Sequence, residues 1–334
     1  MTDLALLRAE AVGFRQEAAK AFFDGRVSDA RHAFLSSVSR LRELGDRAAL
    51  SDVMSDQAVL EVSVGRTDIA RQLLNEALVE NAGIADGNGR ARHLRRMGDL
   101  EATLGNCDAA KRQYDASRAI CRERSDETGE ALSWLSDGAL AVAMSLHDEA
   151  RDCFDRAHVL HLEHGNAAES ARLFRLLGDL ERKVGRNEEA QSAYGEAEAR
   201  ETSLSLLERG YLKFGLGDLA RLRSEPHAED TLRQALASFQ ECDHCAGEGQ
   251  VRCALGEIAR GEGDDAKART EFDAAIVALK RANSRLGLGN AWRGLGLVER
   301  NLGSYTEARK AFRAAELYYR ASRNRVGQAH ALRG

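Results

Sequence analysis

Residues 285–323 read RLGLGNAWRGLGLVERNLGSYTEARKAFRAAELYYRASR. In the second half of this stretch, Gly303 is followed five residues later by Ala308, nine later by Phe312 and twelve later by Ala315. These offsets place the three side chains on one face of an α-helix, with small residues where a neighbouring backbone comes close. The stretch therefore predicts a turn at Gly303 followed by an amphipathic helix.

The same spacing recurs along the whole chain, at intervals of 39 or 40 residues. Six copies begin with glycine and two begin with serine. Eight copies at so regular a period indicate a repeat protein. The copies begin at Gly25, Gly65, Gly105, Ser145, Gly185, Ser224, Gly263 and Gly303.

A second pattern precedes each turn and predicts a first helix in every repeat. Its centre is a small residue such as Gly178 or Gly296, which costs about 1 kcal/mol relative to alanine inside a helix. We expect close approach of the second helix to be the reason for it. We also expect Gly25 to end the first helix, and residues such as Ser28, Thr67 and Asn187 to cap the second. Bulky apolar residues four positions before the centre, including both tryptophans, are predicted core residues: Phe14, Met54, Leu94, Trp134, Phe174 and Trp292.

The pattern Trp292-x2-Leu295-Gly296-x6-Gly303-x4-Ala308-x3-Phe312-x2-Ala315 resembles the tetratricopeptide repeat family in a forty-residue form. The resemblance runs from about residue 10 to the end, although the proline that usually closes the second helix is missing. It implies an all-α, right-handed superhelical solenoid of about eight helix-turn-helix repeats, with an inner surface made mainly by the first helices. We expect one domain over residues 1–334, with repeats at 10–45, 46–85, 86–125, 126–165, 166–204, 205–243, 244–283 and 284–323 and a capping or truncated helix at 324–334.

The sixth repeat is the irregular one. It lacks one residue before each of its helices, and Ser224-Glu225-Pro226-His227 precedes the second. Because proline fixes the backbone and removes a donor, a local change of superhelical twist is expected there. The final segment leaves two alternatives open, a short cap on the eighth repeat or a protein that continues further.

Composition excludes several function classes. The 334 residues carry 48 basic and 53 acidic side chains, a formal charge of −5, which argues against a general nucleic-acid or membrane-surface binder. No stretch approaches the ~18 apolar residues that a membrane span needs. Residues 1–10 show no signal-peptide pattern, and the six cysteines are read as reduced thiols. The expected location is the cytoplasm.

The resemblance also implies where partners bind, because four positions of each first helix face the inner groove. Arginines recur at these positions, and a guanidinium fork suits carboxylates. The expected ligand is an acidic segment or a peptide C-terminus held by Arg92, Arg95, Arg172, Arg175 and Arg293. In the alternative interpretation, Arg95 with Asp99 and Arg175 with Asp179 form i,i+4 pairs that neutralise each other. The predicted groove residues are Arg92, Arg95, Asp99, Arg172, Arg175, Asp179, Arg182, Asp218, Arg221, Glu257, Arg260, Asn290, Arg293 and Arg300, and the final segment places His330 and Arg333 in the same positions.

No cofactor, metal or catalytic site is expected. Cys242 and Cys245 form one Cys-x-x-Cys, whereas a structural zinc site needs two such pairs. His158, His161 and His164 are spaced i,i+3,i+6, and His161 aligns with apolar positions of other repeats, which predicts a core histidine. No Gly-x-Ser-x-Gly or His-Glu-x-x-His motif occurs.

The leading hypothesis is a non-catalytic scaffold that binds a peptide or another protein, with possible self-association through the solenoid ends. A second is a sensor whose superhelix changes pitch when a ligand enters. A third is the regulatory subunit or module of a larger enzyme. All three rest on the family resemblance rather than on a chemical motif.

Overall fold

The computed structural model describes residues 2–84, 87–164, 166–322 and 325–333. Within these ranges the chain forms seventeen α-helices and one short 3-10 helix, and no strand. The all-α prediction is therefore confirmed. The first eight helices are α1 (Thr2–Phe23), α2 (Val27–Leu44), α3 (Arg47–Ser63), α4 (Thr67–Asn81), α5 (Gly87–Thr103), α6 (Cys107–Glu123), α7 (Glu127–Ala143) and α8 (His147–His164). The remaining helices are α9 (Ala167–Lys183), α10 (Asn187–Glu198), α11 (Leu206–Leu222), α12 (Ala228–Glu241), α13 (Cys245–Gly261), α14 (Asp265–Arg281), α15 (Arg285–Asn301), α16 (Tyr305–Ala321) and α17 (Arg325–Arg333).

The helices pack in consecutive pairs, which gives a solenoid. Each odd-numbered helix from α1 to α15 packs most extensively on the helix that follows it. From α3 onward, successive odd-numbered helices also contact each other directly. First helices therefore line the tighter, inner side, as the resemblance implies.

The central glycines of the first helices are in close contact with the second helices. A Cβ on Gly98 would lie 2.4 Å from Cε1 of Tyr114, and one on Gly178 would lie 2.5 Å from Cε1 of Tyr194. Any larger residue would collide with the aromatic ring of the helix packed above it. The predicted close approach is confirmed.

The turns within repeats are closed by backbone hydrogen bonds. Gly25 has a φ of +80°, and the Arg26 amide donates to the Ala21 carbonyl at 2.8 Å, which ends the first helix as predicted. The residues before α2, α4 and α10 are arginines that make no side-chain cap. The predicted capping by Ser28, Thr67 and Asn187 is wrong, because these residues already lie inside the helices.

The irregular region begins one helix earlier than expected. The second helix of the fifth repeat, α10, has only 12 residues and is followed by the 3-10 helix Glu201–Ser203. Pro226 then lies in the turn before α12, as the sequence indicates. The final helix, α17, packs on α16, with Ala331 buried beside Tyr319.

The superhelix completes a turn within the chain, so its first repeats contact its last ones. A Cβ on Gly25 would lie 2.5 Å from Cδ2 of Leu206, and one on Gly65 would lie 2.5 Å from the Arg281 carbonyl oxygen. Gly105 similarly faces Ser322 at 3.6 Å. The within-repeat turns of repeats 1, 2 and 3 thus rest on repeats 6, 7 and 8. We call this contact the seam.

Within the described residues, no helix is both long and apolar enough to cross a membrane.

Candidate functional site

The inner surface of repeats 1 to 3 carries ion pairs that run from one first helix to the next. Arg92 of α5 donates to Asp52 of α3 at 2.5 Å, and Arg96 pairs with Asp56 at 2.7 Å. Arg15 of α1 reaches the same Asp56 at 2.7 Å. Neither aspartate was singled out from the sequence, although Asp52 occupies the repeat position of Arg92.

Arg95 is held more deeply than its neighbours. It pairs with Asp99 at 3.2 Å, and Asp99 also accepts a hydrogen bond from the Tyr114 hydroxyl at 3.0 Å. The Arg95 side chain is only 12% exposed. Burial lowers the pKa of its guanidinium, Asp99 opposes this, and the cations Arg96 and Arg172 add to the lowering. Two further cations therefore lie close to Arg95 at this point of the groove.

A second charged segment lies on α9 and α11. Arg175 pairs with Asp179 at 2.8 Å and with Glu208 at 3.2 Å, and its side chain is 8% exposed. Burial opposes ionisation of Glu208, but the charges of Arg175 and Arg172 outweigh it and lower the pKa of that carboxyl. Arg175 is thus a structural member of the groove wall, with both partners already in place.

The Arg182 guanidinium also has close partners within the protein. It forms an ion pair with Asp218 and donates to the Tyr194 hydroxyl at 3.2 Å. The Tyr194 hydroxyl in turn donates to Asp179 at 2.7 Å. Asp218 also accepts a hydrogen bond from Arg221 at 2.7 Å. The i,i+4 pairs of the alternative interpretation are therefore present at both Arg95 and Arg175, and the network around Arg182 extends to the next repeat.

Other predicted groove arginines keep their charge available. Arg172 is 31% exposed and approaches Glu208 only to 3.8 Å, and Arg293 is 35% exposed and approaches Glu257 only to 4.0 Å. Arg300 is exposed and has no ion pair within the described residues.

The remaining predicted residues on this side have close partners. Arg260 pairs with Glu257 at 2.6 Å. Asn290 accepts a hydrogen bond from the Tyr319 hydroxyl at 2.7 Å. The side chains of His330 and Arg333 lie outside the described residues.

An apolar repeat separates the two charged segments. In repeat 4 the four groove positions hold Leu132, Leu135, Ala139 and Val142. The groove therefore alternates: a charged segment on α5, an apolar one on α7 and a charged one on α9 and α11. Leu135 and Val142 are buried in the core, and Leu132 and Ala139 are partly exposed. A surface of this kind suits a chain that carries acidic side chains with an apolar one between them.

Cations outnumber anions on the charged segments. On α9 and α11 three carboxylates, Asp179, Glu208 and Asp218, face four arginines, Arg172, Arg175, Arg182 and Arg221. On α13 and α15, Glu257 is shared between Arg260 and Arg293. The arrangement can attract and pair an anionic ligand.

The other sequence candidates fall outside the groove network. Trp134 is half-buried rather than enclosed in the core, with the Arg118 guanidinium 3.9 Å from its ring centre, and it lines an open cavity of about 360 Å³. Trp292 is also half-buried. Both tryptophans pack against the core from its edge, as partly buried side chains.

The candidate metal residues do not assemble into a site. Cys242 and Cys245 are buried free thiols, and burial raises the pKa of Cys242 to about 11. Among the described residues no group of three or more potential ligands comes together. His158 packs edge-on against Phe174, whereas the side chains of His161 and His164 lie outside the described residues.

The sequence matches no protein-family model and no curated protein. The fold, in contrast, is similar to solved structures. A Rap protein complexed with Competence and Sporulation Factor has a TM-score of 0.65 at 14% identity, over 97% of this chain and 96% of that one. The Rap conjugation gene regulator of the plasmid pLS20, in complex with the Phr* peptide, has a TM-score of 0.66 at 14% identity, over 87% of this chain and 78% of that one.

A third similar structure is a signal transduction ATPase (STAND) protein with a tetratricopeptide repeat sensor from Pyrococcus horikoshii. It has a TM-score of 0.55 at 12% identity, over 84% of this chain and 42% of that chain. These similarities establish the fold class: the chain is an α-solenoid of tetratricopeptide-type repeats. At such identities they establish the fold alone.

Proposed function

We propose that this protein is a non-catalytic binding module that holds an acidic peptide, or an acidic segment of another protein, in the groove of its first helices. The observation that carries the proposal is the excess of arginine over carboxylate on that surface. Arg172 and Arg293 have only distant carboxylate partners, so a ligand carboxylate can pair with them without breaking a close ion pair. Exposed pairs of this kind are worth only about 0–1 kcal/mol.

Two further observations support a peptide as the ligand. The partly exposed Leu132 and Ala139 of repeat 4 lie between charged segments, which suits a chain with mixed side chains. Two solved structures of similar fold are, by their descriptions, complexes with a factor or a peptide. Within this proposal the protein acts in the cytoplasm and needs no cofactor, metal or nucleic acid.

A second candidate function is a ligand-responsive regulator, alone or as a module of a larger complex. The seam favours it, because a superhelix that contacts itself has a defined closed state that a ligand can bias. Both candidates use the same groove, and they differ in whether the superhelix responds.

The experiment is a selection from a displayed heptapeptide library, with the whole chain as bait. The test variant is Arg172→Gln with Arg293→Gln. The control is Arg309→Gln with Arg313→Gln, which removes the same charge from exposed positions of the second helix α16. We expect wild type and control to enrich Asp and Glu, and the groove variant to lose that enrichment. Equal enrichment by all three proteins, or no acidic preference in wild type, would contradict the proposal.

A further inference from the structure

One position of the repeat holds a small residue in the repeats whose second helix reaches the seam, and a larger residue in the other repeats. The C-terminal end of the second helix carries Cys242, Ala282 and Ser322 in repeats 6, 7 and 8, and these face Gly25, Gly65 and Gly105. In repeats 1 to 5 the same position, nineteen residues after the glycine or serine that begins each copy, holds larger side chains. These are Leu44, Ile84, Arg124, His164 and Leu204. The size difference marks the seam as a specific packing surface.

One side chain makes a directed bond across the seam. His244 lies at the start of α13, is 8% exposed, and its Nδ1 is 2.7 Å from the carbonyl oxygen of Ser63 at the end of α3. Since a carbonyl can only accept, Nδ1 carries the hydrogen. In the neutral ring Nε2 must then accept, and the Tyr211 hydroxyl lies 2.7 Å away to donate.

Tyr211 in turn lies against the groove. The guanidinium carbon of Arg175 is 5.3 Å from the centre of the Tyr211 ring, within the range of a cation–π contact. Arg175 is fixed by Asp179 and Glu208 on the groove wall. A continuous set of contacts therefore runs from the groove arginine through Tyr211 and His244 to Ser63 on the opposite side of the seam.

We propose that this protein has a groove-linked latch: docking of repeats 1 to 3 on repeats 6 to 8 encloses the groove, and the Arg175–Tyr211–His244–Ser63 chain makes that docking depend on the state of the groove wall. The proposal rests on the groove being the binding surface. It names the regulation of that surface, since the closed turn limits entry to the groove from the side. Ligands that rearrange Arg175 or Glu208 then change the stability of the seam.

The first test separates seam contact from backbone strain, using the free protein. Gly65→Ala places a Cβ against the Arg281 carbonyl oxygen. Gly185 has the same left-handed backbone, with a φ of +80° compared with +81° at Gly65, but a Cβ there would have no neighbouring atom within 4 Å. Gly185→Ala is therefore the control for backbone strain. The readout is amide hydrogen exchange of segments 60–66 and 242–246. Gly65→Ala should speed exchange in both segments about tenfold, while Gly185→Ala leaves them as in wild type. Equal behaviour of the two variants overturns the latch.

The second test asks whether the groove wall is linked to the seam. Tyr211→Phe removes the hydroxyl bonded to His244 and keeps the ring, and Arg175→Lys keeps the charge and loses the planar fork. Each should speed seam exchange about threefold or more, and the double variant should match Tyr211→Phe alone. The control is Tyr114→Phe, which removes a similar hydroxyl bond in repeat 3, and it should leave the seam unchanged.

Additive effects, or a seam unchanged by Arg175→Lys, overturn the linkage. None of these measurements needs a peptide, so their outcome is separate from that of the library selection.

Discussion

Arg31 and Glu61, thirty residues apart, form an ion pair with a 2.7 Å contact that joins the second helix of one repeat to the first helix of the next. The Glu61 side chain is 2% exposed and that of Arg31 is 24% exposed. Equivalent pairs join Arg71 to Glu101, Arg151 to Glu181 and Arg269 to Glu299. Where the acidic position holds alanine, at Ala141, Ala220 and Ala259, the basic position holds Lys111, Gln191 and Glu229. Arginine therefore occurs at this position of repeats 1 to 7 only where the next repeat supplies a glutamate.

The pair predicts an asymmetric response to mutation. Arg31→Gln removes the close partner of a buried carboxylate and leaves only Arg66 at 3.9 Å, so it should cost about 2–4 kcal/mol of unfolding free energy. Glu61→Ala leaves an arginine that can turn to solvent, so it should cost less. The double variant, which copies the Gln191 and Ala220 combination, should recover to the level of Glu61→Ala. Urea denaturation of the four proteins measures this, and strictly additive losses would refute it.

Replacing glycine by alanine is expected to have opposite effects on stability at a central glycine and at a glycine with free space around it. Gly178→Ala brings a Cβ to 2.5 Å from the Tyr194 ring and should destabilise by roughly 1–3 kcal/mol. Gly195→Ala, inside α10 with nothing within 4 Å, should stabilise by about 0.5–1 kcal/mol through helix propensity. Thermal melting of both variants distinguishes packing from propensity. A stabilised Gly178→Ala would be inconsistent with the packing.

His244 predicts acid opening of the seam. Burial lowers the pKa of the His244 imidazole from the usual 6.5 to about 4, against the opposing effects of the Ser63 carbonyl and Glu208. Facing it are Tyr211, which stays neutral in this range, and Glu208, whose own pKa is lowered. Between pH 6.5 and 4 the open form binds more protons, so closure is fully stable above about pH 6.5 and weakens as the pH falls towards 4.

The measurement for His244 is the radius of gyration by small-angle X-ray scattering at pH 7.5 and 5.5. Wild type should expand at the lower pH. His244→Asn keeps an amide that can donate to Ser63 and cannot titrate, so its radius should stay constant over this interval. An equal expansion of both proteins would assign the effect to other groups.

The groove arginines predict two classes of variant. Arg175→Gln and Arg182→Gln remove side chains that are 8% and 9% exposed and take a close ion pair away from Asp179 or Asp218, so each should lose about 2–4 kcal/mol of stability. Arg172→Gln and Arg293→Gln should change stability by less than about 1 kcal/mol. Urea denaturation tests the division. Similar losses in all four would mean that no groove arginine is free for a ligand.

The period of the sequence predicted most of the fold. A glycine with alanine, an aromatic residue and a small residue at fixed offsets located the helix pairs, because each repeat packs by the same local contacts. The central glycines also indicated the close packing seen at Gly98 and Gly178. The predicted cap residues were wrong because a left-handed glycine such as Gly25 lets the backbone close the turn by itself.

The seam and the partners of the groove arginines were not predicted. The seam depends on superhelical pitch, which accumulates from small rotations between repeats and is not encoded by any one motif. Its signal in the sequence was the small size of Cys242, Ala282 and Ser322 relative to Leu44 or Arg124. The inter-repeat acids, such as Asp52 and Glu208, would have been found by comparing equivalent positions for opposite charge. The same comparison distinguishes Arg175, which has two close carboxylate partners, from Arg172, which has only a distant one.

The most direct test of the central claim is a titration of the best library peptide and of its Asn/Gln counterpart, in which each acid is replaced by its amide. Both are measured by calorimetry against wild type and against the protein carrying Arg172→Gln with Arg293→Gln, at two salt concentrations. We expect wild type to bind the acidic peptide at least about tenfold more tightly than the amide peptide at low salt, and less so at high salt. We expect the groove variant to bind both peptides equally. An acidic preference that persists unchanged in the variant would contradict the assignment of the groove arginines as the binding surface.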